Sequence, residues 1–400
     1  MSLITLLFKA HQPVRFREYS FFELGKHQAY FNDNLNHQII NRVSDNCYLP
    51  TNNILLNLIN QLKGKFKFAM SISGTLLDQL EIYRPDVIQS FKKLVDTGQV
   101  ELICEPYYHT LACFYSSKEF EEQVLMHKVK IEQLFGISPD TFSNTELIFS
   151  DKISRQVSKI MFKNILSEGV SFLKMMQDGV NFTESSNLRL LLRNHALSND
   201  LAFRFSDKNW PGYPLNAKKY KKWVADSSKY LSNIFIDYET FGEHNSAETG
   251  IFKFFINWVK STASGKKMKF EMLKNISNYK LKEHFISVDE PISWADHERD
   301  ISAWRGNSMQ YESLSRIFRF EKWVKQINDE LITKTWRYLQ TSDHFYYMST
   351  KGFTDGNVHN YFSPFKTPHD AYRCYMNIIS DFELVLKKKL KHLAATQNTA

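Results

Sequence analysis

Between Ser2 and Met272 short apolar, β-prone runs alternate with segments of helical periodicity, and this alternation most narrows what the chain can fold into. Strands are expected at Ser2–Phe8, Lys65–Ile72, Val100–Cys104, within Asp140–Leu147, at Lys163–Ser167, Leu188–Arg193, Leu201–Phe205, Ile234–Ile236 and Lys267–Met272. Helical patterns fall at Asn52–Leu62, Thr75–Ile82, Pro85–Thr97, Ser117–Phe135, Asp151–Met161, Pro214–Ser228 and Thr249–Ser261. The stretch after Pro13 reads as polar. Strand–helix alternation implies an α/β fold with a parallel sheet, most simply closed as a barrel. From about Trp294 strand signals cease, and Ser308–Ile332 and Pro368–His392 read as long helices. The expected division is a barrel over residues 1–290 and a C-terminal helical region over 291–400, packed on it.

In a barrel of parallel strands the C-terminal rim carries the chemistry. The segment NIFIDYETFGEHN, Asn233–Asn245, starts as a buried strand and delivers Asp237, Glu239, Glu243 and His244 to that rim. Three acids and a histidine so close to a buried strand are costly unless they are paired or used. Asp237 could instead cap a following helix, with the others solvated. Other strand ends behave alike: His11 follows the first strand, His109 the third, and Glu146 the Asp140–Leu147 segment. Glycosidic cleavage needs two carboxyl groups flanking the bond, one ionised and one protonated, about 5–5.5 Å apart in the retaining geometry. Glu146 and Asp237, on separate strand ends, are the candidate pair.

Composition excludes less than it permits. A net charge of +8 comes from basic residues spread along the chain, as in Lys218–Lys222 and Lys387–Lys391, with no nucleic-acid module around them. An aromatic share of 14%, with 32 Phe and 19 Tyr, suits heavy packing or sugar-stacking surfaces. Cys47, Cys104, Cys113 and Cys374 form no CxxC pair or zinc-ribbon spacing. Met1–Leu7 lacks a basic leader and a cleavage site, and no apolar run reaches membrane-spanning length. A cytoplasmic enzyme without a cofactor, and with no nucleic-acid or membrane partner, is the expectation.

His11-Gln12-Pro13, Asn144-Thr145-Glu146, the eight residues Asp237–His244 and Gln340-Thr341-Ser342-Asp343 resemble, in order, signature regions of glycoside hydrolase family 57. Ser73-Gly74 with the helix after it looks like the remaining region. Glu290–Asp296 and Ser342–Met348 resemble the α-amylase-type branch. The resemblance implies a (β/α)7 barrel with a C-terminal helical region, acting on α-glucans or malto-oligosaccharides with retention and without a metal. It places Glu146 at the nucleophile position and Asp237 at the general acid/base position. His11 then lines the donor-sugar subsite and Asp343 contacts substrate. His109, His244, Trp294 and Trp304 are further candidates for substrate contact, the tryptophans alternatively being core. A 4-α-glucanotransferase or branching enzyme fits the same residues. So does a metal-dependent barrel hydrolase, although no HxxxH pair lies at these positions, or a catalytically silent glycan-binding protein.

Overall fold

The structure, a computed structural model, describes residues 1–183, 186–227, 229–351 and 363–397. Its strands are β1 (Ser2–Ala10), β2 (Phe68–Ile72), β3 (Val100–Leu102), β4 (Thr141–Ser143), β5 (Asn164–Glu168), β6 (Val180–Thr183), β7 (Ser186–Arg193), β8 (Leu231–Asp237), β9 (Met268–Phe270) and β10 (Glu283–Ile286). One sheet runs β3-β2-β1-β8, all parallel, with β9 paired to the start of β1. The other runs β10-β6-β7-β5-β4, in which β6 and β7 form the one antiparallel pairing.

Two seams join the sheets. At the first, Cys104 bridges Phe142 in parallel, its N–H donating to Thr141 O and its carbonyl accepting from Ser143 N, both at 2.9 Å. At the second, Asn194 N donates to Asn233 O (2.7 Å) and the Asn233 amide to Leu192 O (2.8 Å). Seven parallel strands thus follow one another around a barrel in the order β8-β1-β2-β3-β4-β5-β7. Helices such as Leu49–Leu62, Pro85–Val95, Ser117–Phe135 and Ile251–Ala263 lie outside it.

The two-residue period of a strand explains where the chemistry sits. Leu3 and Leu7 of β1, Ala69 of β2, Ile103 after β3, Leu166 of β5, Leu191 of β7 and Phe235 of β8 share one buried apolar cluster, which fills the barrel. Two residues further along each strand, on the same inward face, stand Lys9, Ser71, Glu105, Glu168, Arg193 and Asp237. The apolar floor therefore gives way to a layer of charge at the C-terminal mouth. The alternate residues, such as Ile4, Leu6, Phe8 and Ile236, pack outward against the helices.

Among the described residues every regular element after Trp294 is a helix. The expected helix over Ser308–Ile332 is broken into Ser308–Arg319, Glu321–Ile327 and Glu330–Tyr338. Asn328 takes a left-handed conformation (φ 51°) that ends one helix, and Asp329 caps the next through Ile332 N. These helices share a single core with Phe142, Ile165, Leu190 and Leu192 of the barrel. One other expectation fails, and the structure adds elements that the sequence reading did not name. Leu201–Phe205 is no strand: the helix His195–Ala202, capped by the Asn194 side chain on Leu197 N, occupies its first half. The polar stretch after Pro13 contains the helix Asp33–Val43, capped by Asn32, which continues through a π turn, Ser44–Tyr48, into Leu49–Leu62. The antiparallel partner β6 and the short strand β10 carried too weak an alternation to stand out. The helix expected to Ser228 runs Ala217–Ser227, residue 228 lying outside the described residues.

Candidate active site

The charged layer is an ordered row. Lys9 Nζ donates to Ser143 Oγ (3.2 Å) and lies 3.6 Å from Glu105 Oε2. Glu105 also accepts from the Ser71 hydroxyl and, at 3.0 Å, from His109 Nδ1. His109 Nε2 donates to Glu146 Oε1 at 3.0 Å. Both ring nitrogens face carboxylates, so His109 is held as an imidazolium. Burial works against that charge, but the bonds to Glu105 and Glu146 prevail and raise its pKa to about 9. For Glu105, too, burial is overcome: Lys9 and His109 hold its carboxyl far below the usual carboxylate range. From the buried Lys9 to the partly exposed Glu146 the row reads plus, minus, plus, minus.

Glu146 sits in a 3-10 turn directly after β4, in a left-handed conformation (φ 52°) that a non-glycine residue adopts only under constraint. Thr145 Oγ1 on Thr110 O (2.8 Å) and Asn144 Nδ2 on Ile148 O (3.1 Å) supply it. The indole N–H of Trp294 donates to Glu146 Oε2, and Trp294 N to Glu146 O (3.2 Å). Trp294 arrives on the segment that pairs Ile292 with Phe149, and its ring lies 5.4 Å from the Arg193 guanidinium. Arg193 donates to Glu168 Oε2 (2.6 Å), Asn199 Oδ1 (2.7 Å) and Phe235 O (2.7 Å), while Arg299 meets the same Glu168 oxygen at 3.1 Å.

Asp237 ends β8 opposite Lys9. Burial, and then the charge of Glu146, raise its pKa to about 7 against the opposing pull of Arg193, Lys9 and His109. Across the mouth, His11 Nε2 donates to Asp343 Oδ2 (2.9 Å) and Nδ1 accepts from Ser73 Oγ (2.7 Å), an assignment that follows from the partners. Burial and the nearby His109 charge, its ring stacked 3.8 Å away, lower the His11 pKa. Burial is outweighed at Asp343 by the His11 contact and the His109 charge, and its carboxyl stays far below the usual range.

The structure separates the expected site residues into two kinds. His11, Glu146, Asp237, Trp294 and Asp343 are partly solvent-accessible and gather around one mouth, whereas Lys9, Glu105, His109, Glu168 and Arg193 lie buried behind them. His109, 2% exposed, lies between Glu105 and Glu146 with both ring nitrogens on carboxylates. Trp304, 1% exposed, belongs to the core shared by barrel and helices and packs edge-on against Tyr346. It presents no face to a ligand. His244 lies in the turn closed by the Phe241–Asn245 bridge, its backbone N–H on Glu239 O at 2.8 Å and both its ring nitrogens buried. Gly242 in that turn (φ +92°) passes so close to Asn46 of the π turn that a Cβ would fall 1.9 Å from Asn46 O. Glu239 is buried, accepts from Tyr48 Oη (2.6 Å), and is raised by burial to about 8.

Lys9, Glu105, Glu168 and Arg193 escape a reading by motif, yet a signal was present. Continuing the inward alternation of each strand by one step lands on each of them. Among the described residues no cluster of three or more His, Cys, Asp or Glu is arranged to hold a metal ion, and no helix is long and apolar enough to cross a membrane.

Known proteins share the sequence and the fold of this chain. A Methanocaldococcus jannaschii protein named "Putative alpha-amylase" is 38% identical over 405 residues, covering 97% of this chain and 85% of the relative. The fold is that of the Thermococcus kodakaraensis family 57 branching enzyme (TM-score 0.67, 13% identity, 98% of this chain and 91% of that one). It is likewise that of the Thermococcus litoralis 4-alpha-glucanotransferase (TM-score 0.68, 13% identity, 96% of this chain), of which it spans 59%. The family model for glycosyl hydrolase family 57 matches residues 5–289, the stretch that builds the barrel and supplies both carboxyl groups, and the chain belongs to that family.

Proposed function

We propose that the chain is a retaining hydrolase of α-glucosidic bonds in α-glucans, with Asp237 as general acid/base and Glu146 as nucleophile. The observation that carries this reading is the pairing of an Asp237 raised to about 7 with a Glu146 carboxylate whose two oxygens are oriented by His109 and Trp294. Two interacting carboxyl groups in unlike surroundings are what acid and nucleophile roles require. Protonated Asp237 gives its proton to the glycosidic oxygen as a Glu146 oxygen attacks the anomeric carbon. The resulting carboxylate of Asp237 then takes a proton from water, which displaces Glu146 from the same carbon and completes retention. No step calls for a metal or cofactor. The barrel, residues 1–290, supplies the pair, while the region 291–400 contributes Trp294 and Asp343. With His11, Asp343 would hold the sugar on the donor side. The four cysteines are all buried and free, which suits a reducing cytoplasm.

The direct test is incubation with maltoheptaose followed by chromatography. Shorter sugars with retained anomeric configuration are expected. A ladder of longer sugars would assign the centre to glucan transfer, and no change in the sugar would reject the reading.

Two further outcomes follow. Asp237 must be protonated to act first, so kcat/KM should fall about tenfold per pH unit above roughly pH 7. A flat profile to pH 9 would remove Asp237 from the acid role. His109→Ala should lower kcat on the order of 100-fold, since an unanchored nucleophile loses its attack geometry. It should leave KM within a few fold, and an unchanged kcat would sink the positioning role.

A further inference from the structure

A cavity of about 390 Å³ opens where the chain leaves β5 and β7, on the same mouth of the barrel as the reactive pair. Val170, Phe172 and His195 line it, as do Ile292, His297 and Arg299 of the segment that carries Trp294 to Glu146. The volume falls within the range of small-ligand sites. Val288 and Ile292 add apolar surface to the lining, and Phe172 is 63% exposed.

The lining selects among ligands. Four acids, Asp289, Glu290, Glu298 and Asp300, line it beside one arginine, which shares the Glu168 carboxylate with Arg193, and Lys351 offsets only Glu298 (3.2 Å), so the lining stays net acidic and disfavours anionic ligands such as sugar phosphates. None of these acids belongs to a metal-holding cluster among the described residues. What remains is a neutral, hydroxyl-rich molecule with an apolar face. His195 fits such a ligand: its Nδ1–H donates to Gly169 O at 2.9 Å, and burial keeps the ring neutral, so Nε2 is an acceptor for a hydroxyl.

We infer that this cavity is a second sugar-binding site, holding glucose units of a long α-glucan away from the bond being cleaved. The path between the two places is short: Arg299 meets Glu168, Glu168 meets Arg193, Arg193 faces Trp294, and Trp294 holds Glu146. The inference rests on the glucan reading above and adds the place where chain length is sensed.

The test compares Phe172→Ala and His297→Ala with the unaltered protein on maltotriose and on maltoheptaose. Both side chains are exposed and outside the reactive pair, so folding should be unaffected. The expected result is a fall of about tenfold in kcat/KM for maltoheptaose, with maltotriose within twofold. Equal losses on both sugars, or none on either, would overturn the site. Calorimetric titration with maltoheptaose separates the two readings. Should the unaltered protein bind the sugar without cleaving it, the hydrolase reading fails, and a Kd unchanged in Phe172→Ala overturns the cavity as well.

Discussion

Asp237→Asn and Glu146→Gln each reduce turnover of malto-oligosaccharides by at least 100-fold, and by as much as about 10⁴-fold, while the circular dichroism spectrum stays native. The two losses differ in kind. An aryl maltoside carries a leaving group that departs without a proton, so Asp237→Asn should recover much of the first step on it. Glu146→Gln should not, because no oxygen of sufficient nucleophilicity replaces the carboxylate. Full activity in either variant rejects the assignment. Stability moves the other way for Asp237. Its folded pKa, about 7, exceeds the unfolded value near 3.9, so the native state binds more protons between those limits and loses stability as pH rises through them. Asparagine carries no such charge, and Asp237→Asn should melt higher than the unaltered protein at pH 8. A lower melting temperature there would show that folding does not raise the Asp237 pKa.

Glu168→Gln is expected to cost about 3–5 kcal/mol in urea denaturation. Glu168 is fully buried and takes Arg193 at 2.6 Å and Arg299 at 3.1 Å on one oxygen. The neutral amide leaves two guanidinium groups without their counter-charge deep in the barrel mouth. Arg193 also lies against Trp294 and acts on Asp237, so its unbalanced charge should favour the ionised form of Asp237 and move the alkaline limb of activity to lower pH. A loss under 1 kcal/mol, with an unmoved limb, would mean that the cluster is solvated and of little structural weight.

Much of this was legible in the residues. The barrel strands announce themselves because their apolar runs are buried on both faces, against the floor of the barrel and against helices. Glu146 and Asp237 stand out because acids directly after such runs are conspicuous. Other features depend on tertiary contacts. His109 looks like a sugar ligand until Glu105 is seen below it and Glu146 above it. Trp304 looks like a stacking platform until the helices close over it. The helix at Asp33–Val43 hides because its exposed face is polar, and its π turn matters only once Tyr48 meets Glu239. The breaks in the Ser308–Ile332 stretch were readable in Asn328 and Asp329, where a left-handed stop is followed by a cap, but uninterrupted apolar spacing obscured them.

The core that joins Phe142 and Leu190 to the C-terminal helices has a consequence for inheritance. A barrel ending at residue 290 would carry Glu146 and Asp237, yet its outer wall would be bare and Glu146 and His11 would lack their partners Trp294 and Asp343. On this ground recombination is not expected to exchange either portion alone, and heating should melt the two in one transition.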